Sequence, residues 1–226
     1  MQRPRTPSRI SESLHRQLNS YALAASAAGV GVLALAQPAE GKIVYTPVHH
    51  VIGKNGHYKL HLVHNKITDL TLVNSYGCNQ YYCHDVLSAV PSAGNGVLGR
   101  YSLAYALASG SQIGSEQPFM GRLMELSSGS IGSYGQWGNV YNRYLGIRFN
   151  LKNKTHYGWA RLNVQLPGYY LVRATLTGYA YETIPNKSII TGKTKGPDVI
   201  TLRDASLGHL ARGASAMQAW RAKESK

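Results

Sequence analysis

Three runs of alternating side chains, separated by turn residues, constrain this chain more than any other feature. In Tyr144–Leu151 (YLGIRFNL), Leu145, Ile147, Phe149 and Leu151 share a face. In His156–Val164 (HYGWARLNV), Tyr157 and Trp159 take one face and Ala160, Leu162 and Val164 the other. Tyr170–Tyr181 (YLVRATLTGYAY) is the third run, and Asn153-Lys154 and Pro167-Gly168 stand between the runs as turns. Successive side chains of a strand point to opposite faces, so a sustained period of two predicts strands. Short turns between such runs predict antiparallel neighbours, here a three-stranded meander.

The pattern recurs earlier in a weaker form. Lys42–Thr46 (KIVYT) is strand-like, His57–Leu62 aligns Tyr58, Leu60 and Leu62, and Asp69–Val73 aligns Leu70 and Leu72. The last two, connected through His64-Asn65-Lys66-Ile67-Thr68, predict a hairpin. Residues 88–99 are rich in Ser, Ala and Gly and read as loop, as does the glycine-rich stretch Ser127–Gly138. Leu98–Ala108 sets Tyr101, Leu103, Tyr105 and Leu107 on one parity, which suits a strand, while its alanines also permit a short helix. Sixteen Tyr against two Phe favour half-wet sheet surfaces over a greasy helical core. The expected fold is mostly β, an antiparallel β-sandwich of jelly-roll type spanning 42–197.

The two ends read differently. Arg3, Arg5, Arg9 and Arg16 precede an uncharged run, residues 21–36, and then Ala39 and Gly41. A basic segment, an apolar segment and small residues two apart describe a secretory signal peptide, a signal helix over 1–41 removed after Gly41. Residues 198–226 follow Gly196-Pro197 and have helical propensity, with Asp204 or Ser206 as a cap, so a helical or disordered C-terminal tail is expected. With the leader gone, the chain keeps 20 basic and 8 acidic residues, a net charge of +12. Such a charge suits an anionic polysaccharide or cell-surface material. The basic residues are scattered, and the densest run, Lys187 to Lys195, contains no aromatic. That argues against nucleic acid, which is gripped by basic residues interleaved with stacking rings. No other stretch is apolar enough to hold a membrane once the leader is removed.

Few residues here suit chemistry. Cys78 and Cys83 could form a disulfide or, with His84, half of a zinc site, and export favours the disulfide. His57 and His61 lie on one face of a strand about 13 Å apart, too far to share an ion. No metal and no cofactor is expected. Between 42 and 200 the acids are Asp69, Asp85, Glu116, Glu125, Glu182 and Asp198, with no G-x-S-x-G. Glu182, at a strand end, reads as a structural acceptor, and no catalytic residue is assigned. Tyr157, Trp159, Tyr179 and Tyr181 could together form an aromatic strip for stacking sugars, against the alternative that they pack the interior.

The segments LGIRFNLKNKTHYGWARLNV (145–164) and ATLTGYAYETIPNKSIITG (174–192), with the leader SESLHRQLNSYALAASAAGVG and the start KIVYTP, carry a resemblance. The chain resembles a family of exported acidobacterial proteins related to exosortase-type (PEP-CTERM-like) sorted surface proteins. The resemblance implies export and surface location, and it implies no activity. Two departures stand out. The first hairpin has Lys66 and Ile67 where relatives carry a Ca²⁺-loop-like turn. The tail SLGHLARGASAMQAWRAK lacks a Pro-Glu-Pro motif, and its apolar run is broken by His209 and Arg212. Together these readings lead to an expectation of a secreted, periplasmic or cell-surface protein, non-catalytic, with a structural or binding role. A carbohydrate-binding module is the alternative, and a secreted hydrolase the second alternative.

Overall fold

The structure, a computed structural model, describes residues 41–202 except Ile131 and Tyr169. Almost all of the regular structure is strand, and no helix occurs among the described residues. The strands are β1 (Ile43–Ile52), β2 (His57–Leu60), β3 (Leu70–Cys78), β4 (Cys83–Pro91), β5 (Gly96–Val97), β6 (Gly99–Ala104) and β7 (Gln112–Ile113). They continue as β8 (Phe119–Ser128), β9 (Gly132–Gly135), β10 (Val140–Leu151), β11 (Lys154–Gln165), β12 (Arg173–Glu182), β13 (Ile189–Ile190) and β14 (Val199–Thr201).

The meander forms as its alternation predicts. β10 pairs with β11 and β11 with β12, both antiparallel, with Ile147 opposite Gly158 and Ala160 opposite Tyr179. The β10–β11 turn is Lys152-Asn153, one residue earlier than expected. Both residues have positive φ, 50° and 60°, the backbone that lets a two-residue turn follow the twist of its strands. β2 and β3 form the predicted hairpin, with Leu60 opposite Leu70.

One large sheet runs in the order β14-β1-β12-β11-β10-β5-β8-β4-β3-β2, with β6 and β9 also paired to β8. The two-residue β5 links one arm, β14 to β10, to the other, β8 to β2. Both arms feed one apolar core. Ile147, Phe149, Leu162 and Leu176 from the first arm meet Leu60, Leu72, Leu87 and Met124 from the second. Burial of this kind, worth roughly 1.5–3 kcal/mol per large side chain, is what folds the sheet.

Several expectations need correction. The sheet is mixed rather than purely antiparallel, because β14 runs parallel to β1 and β6 parallel to β8. Residues 88–99 are largely strand, the end of β4 and all of β5. Small Ser and Ala side chains hid this strand, and its ladders with β3 and β8 sustain it. Ser127–Gly138 contains β9, hairpinned onto β8. Of the two alternatives for Leu98–Ala108, the strand holds over Gly99–Ala104, bent by left-handed backbone at Tyr101 and Ser102. The β domain also passes the boundary set at 197, since β14 is laddered to β1. The leader to residue 40 and the tail from residue 203 lie outside the described residues.

Candidate functional site

The four aromatic candidates do not form a strip. Trp159 faces Ala180 across the ladder, and Tyr179 and Tyr181 face Ala160 and Gly158. Two candidates therefore lie on one face of the sheet and two on the other. Tyr157 and Trp159 are buried in a second cluster with Tyr45, Leu98, Ile113, Tyr144 and Ile189. The Tyr144 ring meets Trp159 edge-on at 5.1 Å, and Phe119 stacks on Tyr157 at 5.9 Å. Apolar side chains from β7 and β13 cover this face, so neither ring is open to a sugar. Tyr179 is buried in the main core with its hydroxyl 3.2 Å from His64 Nε2. Tyr181 is half-buried against Phe149, and burial raises its hydroxyl pKa.

The acids are committed to the backbone. Asp69 Oδ2 accepts from Leu62 N at 2.8 Å, and Asp85 Oδ2 from Val172 N at 2.8 Å. Glu125 Oε2 accepts from Trp137 N at 3.0 Å, and its Oε1 takes the Ser133 hydroxyl. Glu182 Oε1 accepts from Ile184 N at 3.0 Å while Lys187 sits 3.2 Å from Oε2. All four acids are buried. Asp198 lies on the surface, where the hydrogen bond from Lys193 lowers its pKa. No group of three His, Cys, Asp or Glu side chains that could hold a metal occurs among the described residues.

What the molecule exposes instead lies at one end of the sheet. Cys78 and Cys83 face each other at the tip of the β3–β4 hairpin and are joined by a disulfide. The disulfide is consistent with an extracellular or otherwise oxidising compartment. Within the tip, Asn79 Oδ1 accepts from both Tyr81 N and Tyr82 N at 2.9 Å. This turn, closed by Asn79 and the disulfide, presents Tyr81 at 82% and Tyr82 at 40% exposure. The sequence carried the signal in the Tyr pair between the two cysteines, which the reading of that stretch as a disulfide loop passed over.

Beside the tip, Gly129 N donates to Cys83 O at 3.1 Å, and the Tyr170 ring rests on Gly129. A Cβ at residue 129 would come within 2.7 Å of that ring, so the approach needs glycine. Tyr170 has φ 65°, a left-handed backbone that bulky residues adopt only when the surroundings impose it. Between this loop and the β8–β9 hairpin opens a cleft of about 360 Å³, lined by Ser127, Ser128, Ser133, Leu166, Gly168 and Tyr170. Ser128 and Ser130 hydroxyls lie 3.1 Å apart. Behind it, Asp85 stands opposite Ser127 in the ladder. Asp85 is fully buried, and its Oδ1 has no hydrogen-bond partner among the described residues. In a second hollow, near Gln112, Gln117, Asn186 and Ser188, the Gln112 amide donates to the Ser188 hydroxyl, and the Gln117 amide accepts from Gly114 N and donates to Gln112 O.

Comparison of the chain with protein-family models, curated proteins and solved structures finds no match.

Proposed function

We propose that the chain is an exported, non-catalytic surface or extracellular domain whose binding surface is the sheet end holding the disulfide hairpin. One observation carries this reading. The four buried acids each fasten a backbone N–H, in Asp69, Asp85, Glu125 and Glu182. Carboxyl groups held this way stabilise the fold. A hydrolase would instead need a pair of them facing a shared substrate.

The leader pattern over 1–41, the disulfide and the resemblance to exported acidobacterial surface proteins support secretion. In this reading the two arms of the sheet are the layers of a sandwich, and residues beyond β14 form an appended tail. The net charge suits anionic polysaccharide or other cell-surface material as the wider setting. A carbohydrate-binding role is favoured by Tyr81 and Tyr82, because exposed rings on a rigid turn stack against sugars at small entropic cost.

The test incubates the mature chain, 42–226, with a panel of insoluble and soluble polysaccharides. It measures both retention of protein and release of reducing ends. Retention without release is expected. Release that is lost in Glu125→Gln or Asp85→Asn would make the protein a hydrolase and overturn the reading.

A further inference from the structure

We propose that the cleft between the β8–β9 hairpin and the β11–β12 loop binds one or two rings of an uncharged saccharide. The proposal rests on the binding reading above and names its ligand. The hydrogen-bonding polarity of the cleft points to a donor. Ser133 gives its proton to the buried Glu125, so it meets a ligand as an acceptor. Asp85 adds a buried acceptor oxygen without a partner behind Ser127. An unmet buried acceptor is costly, and because Asp85 is fully buried and does not itself line the cleft, a water bridging it to a ligand hydroxyl would satisfy it.

Donors come as ammonium groups or as hydroxyls. Without the leader the chain carries a net charge of +12, which disfavours approach of a cation. Among the described residues no Lys or Arg lines the cleft, and Glu125 and Asp85 stand behind it, which disfavours a carboxylate or sulfate. A neutral sugar satisfies both conditions. Its hydroxyls donate to the serine side, and its C–H face lies on Tyr170 and Leu166. A volume of about 360 Å³ is at the small end for ligand sites and suits a short segment of chain. Tyr81 and Tyr82 at the neighbouring tip would carry the polymer beyond the cleft.

The mature chain would be screened on an array of neutral and acidic glycans, with the best neutral hit titrated calorimetrically. Ser133→Ala removes an acceptor, and Asp85→Asn places an amide donor where the free oxygen was. Gly168→Trp crowds the rim at a position where an added Cβ meets open space. Each variant should bind at least tenfold more weakly. Gly168→Trp, on the open rim, should melt like the parent, so it decides the question if Asp85→Asn or Ser133→Ala, which strips a donor from the buried Glu125, folds poorly. Binding confined to acidic glycans, or no glycan binding at all, overturns the proposal. Neutral binding unchanged in Ser133→Ala and Gly168→Trp also overturns it, and loss in Tyr81→Ala would then move the ligand to the hairpin tip. Neither result touches the non-catalytic reading, which only release of reducing ends would sink.

Discussion

Val172 is held at both of its backbone groups by side chains from the opposite arm of the sheet. Its N–H goes to Asp85 Oδ2 and its carbonyl accepts from Asn74 Nδ2, each at 2.8 Å. This clasp fixes the loop that carries Tyr170 and starts β12 at Arg173, later than alternation alone suggests. Asp69 makes a comparable bond to Leu62 N but titrates in a way that can be read out. Burial raises its pKa above 3.8, against the lowering effects of the Leu62 N–H and of nearby His61. The folded chain therefore holds this proton at pH values where the unfolded chain has released it. Stability is then lost as pH rises from about the ordinary carboxylate value through the raised one, and it levels off above. Asp69→Asn keeps an acceptor for Leu62 N and cannot titrate. Melts from pH 3 to 7 should show the variant gaining on the parent across that window, and a constant difference would refute the assignment.

Among the elements, the β10–β11 hairpin and the β3–β4 tip differ in what holds them. Phe149 on β10 is fully buried in the core that both arms share. Phe149→Ala should cost about 3–5 kcal/mol, a large part of a typical total of roughly 5–15. The disulfide closes only a short loop, and Asn79 already sets its turn. Loop-closure entropy limits its contribution to about 2 kcal/mol. The double variant Cys78→Ser/Cys83→Ser should therefore lose less stability than Phe149→Ala in denaturant melts. Glycan affinity is the sharper readout for the tip, because without the bridge Tyr81 and Tyr82 lose their fixed presentation. A double variant as damaging as Phe149→Ala would make the tip part of the structural nucleus.

At the scale of the whole molecule, the C-terminal side of the domain closes on its N-terminal strand. β14 adds to β1 in parallel, Ile43 N donates to Asp198 O, and Leu202 N donates to Tyr45 O, each at 2.7 Å. Val199 packs on the cluster that holds Tyr45 and Trp159. If residues beyond β14 are the appended tail proposed above, a chain of residues 42–202 should unfold at nearly the same denaturant concentration as one of residues 42–226. One ending at 197 loses these bonds, each worth about 0.5–1.5 kcal/mol, and uncovers Tyr45. Its stability should fall by about 1–3 kcal/mol on that basis, and equal stability of the two truncations would place β14 outside the cooperative unit.

The strands of the meander, the β2–β3 hairpin and the disulfide were legible in the sequence because their signals are local. Alternation at Leu145, Ile147 and Phe149, a turn signal at Asn153-Lys154 one residue from the observed turn, and a short Cys78–Cys83 spacing act between near neighbours along the chain. Glu182, read from its place at a strand end as a structural acceptor, accepts from Ile184 N two residues on, another near-neighbour interaction. Register was not legible. It sets Trp159 beside Ala180 rather than Tyr179, and so divides four tyrosine and tryptophan rings between two faces. Nor was the covering of the outer face by Ile113 and Ile189, or the parallel return of β14. The cleft is lined by Ser127 and Tyr170, with Asp85 paired behind Ser127, residues from separate parts of the chain that meet only when both arms have folded around one core. Pairings of that separation are chosen by the total burial they achieve, and no stretch of neighbouring residues encodes that sum.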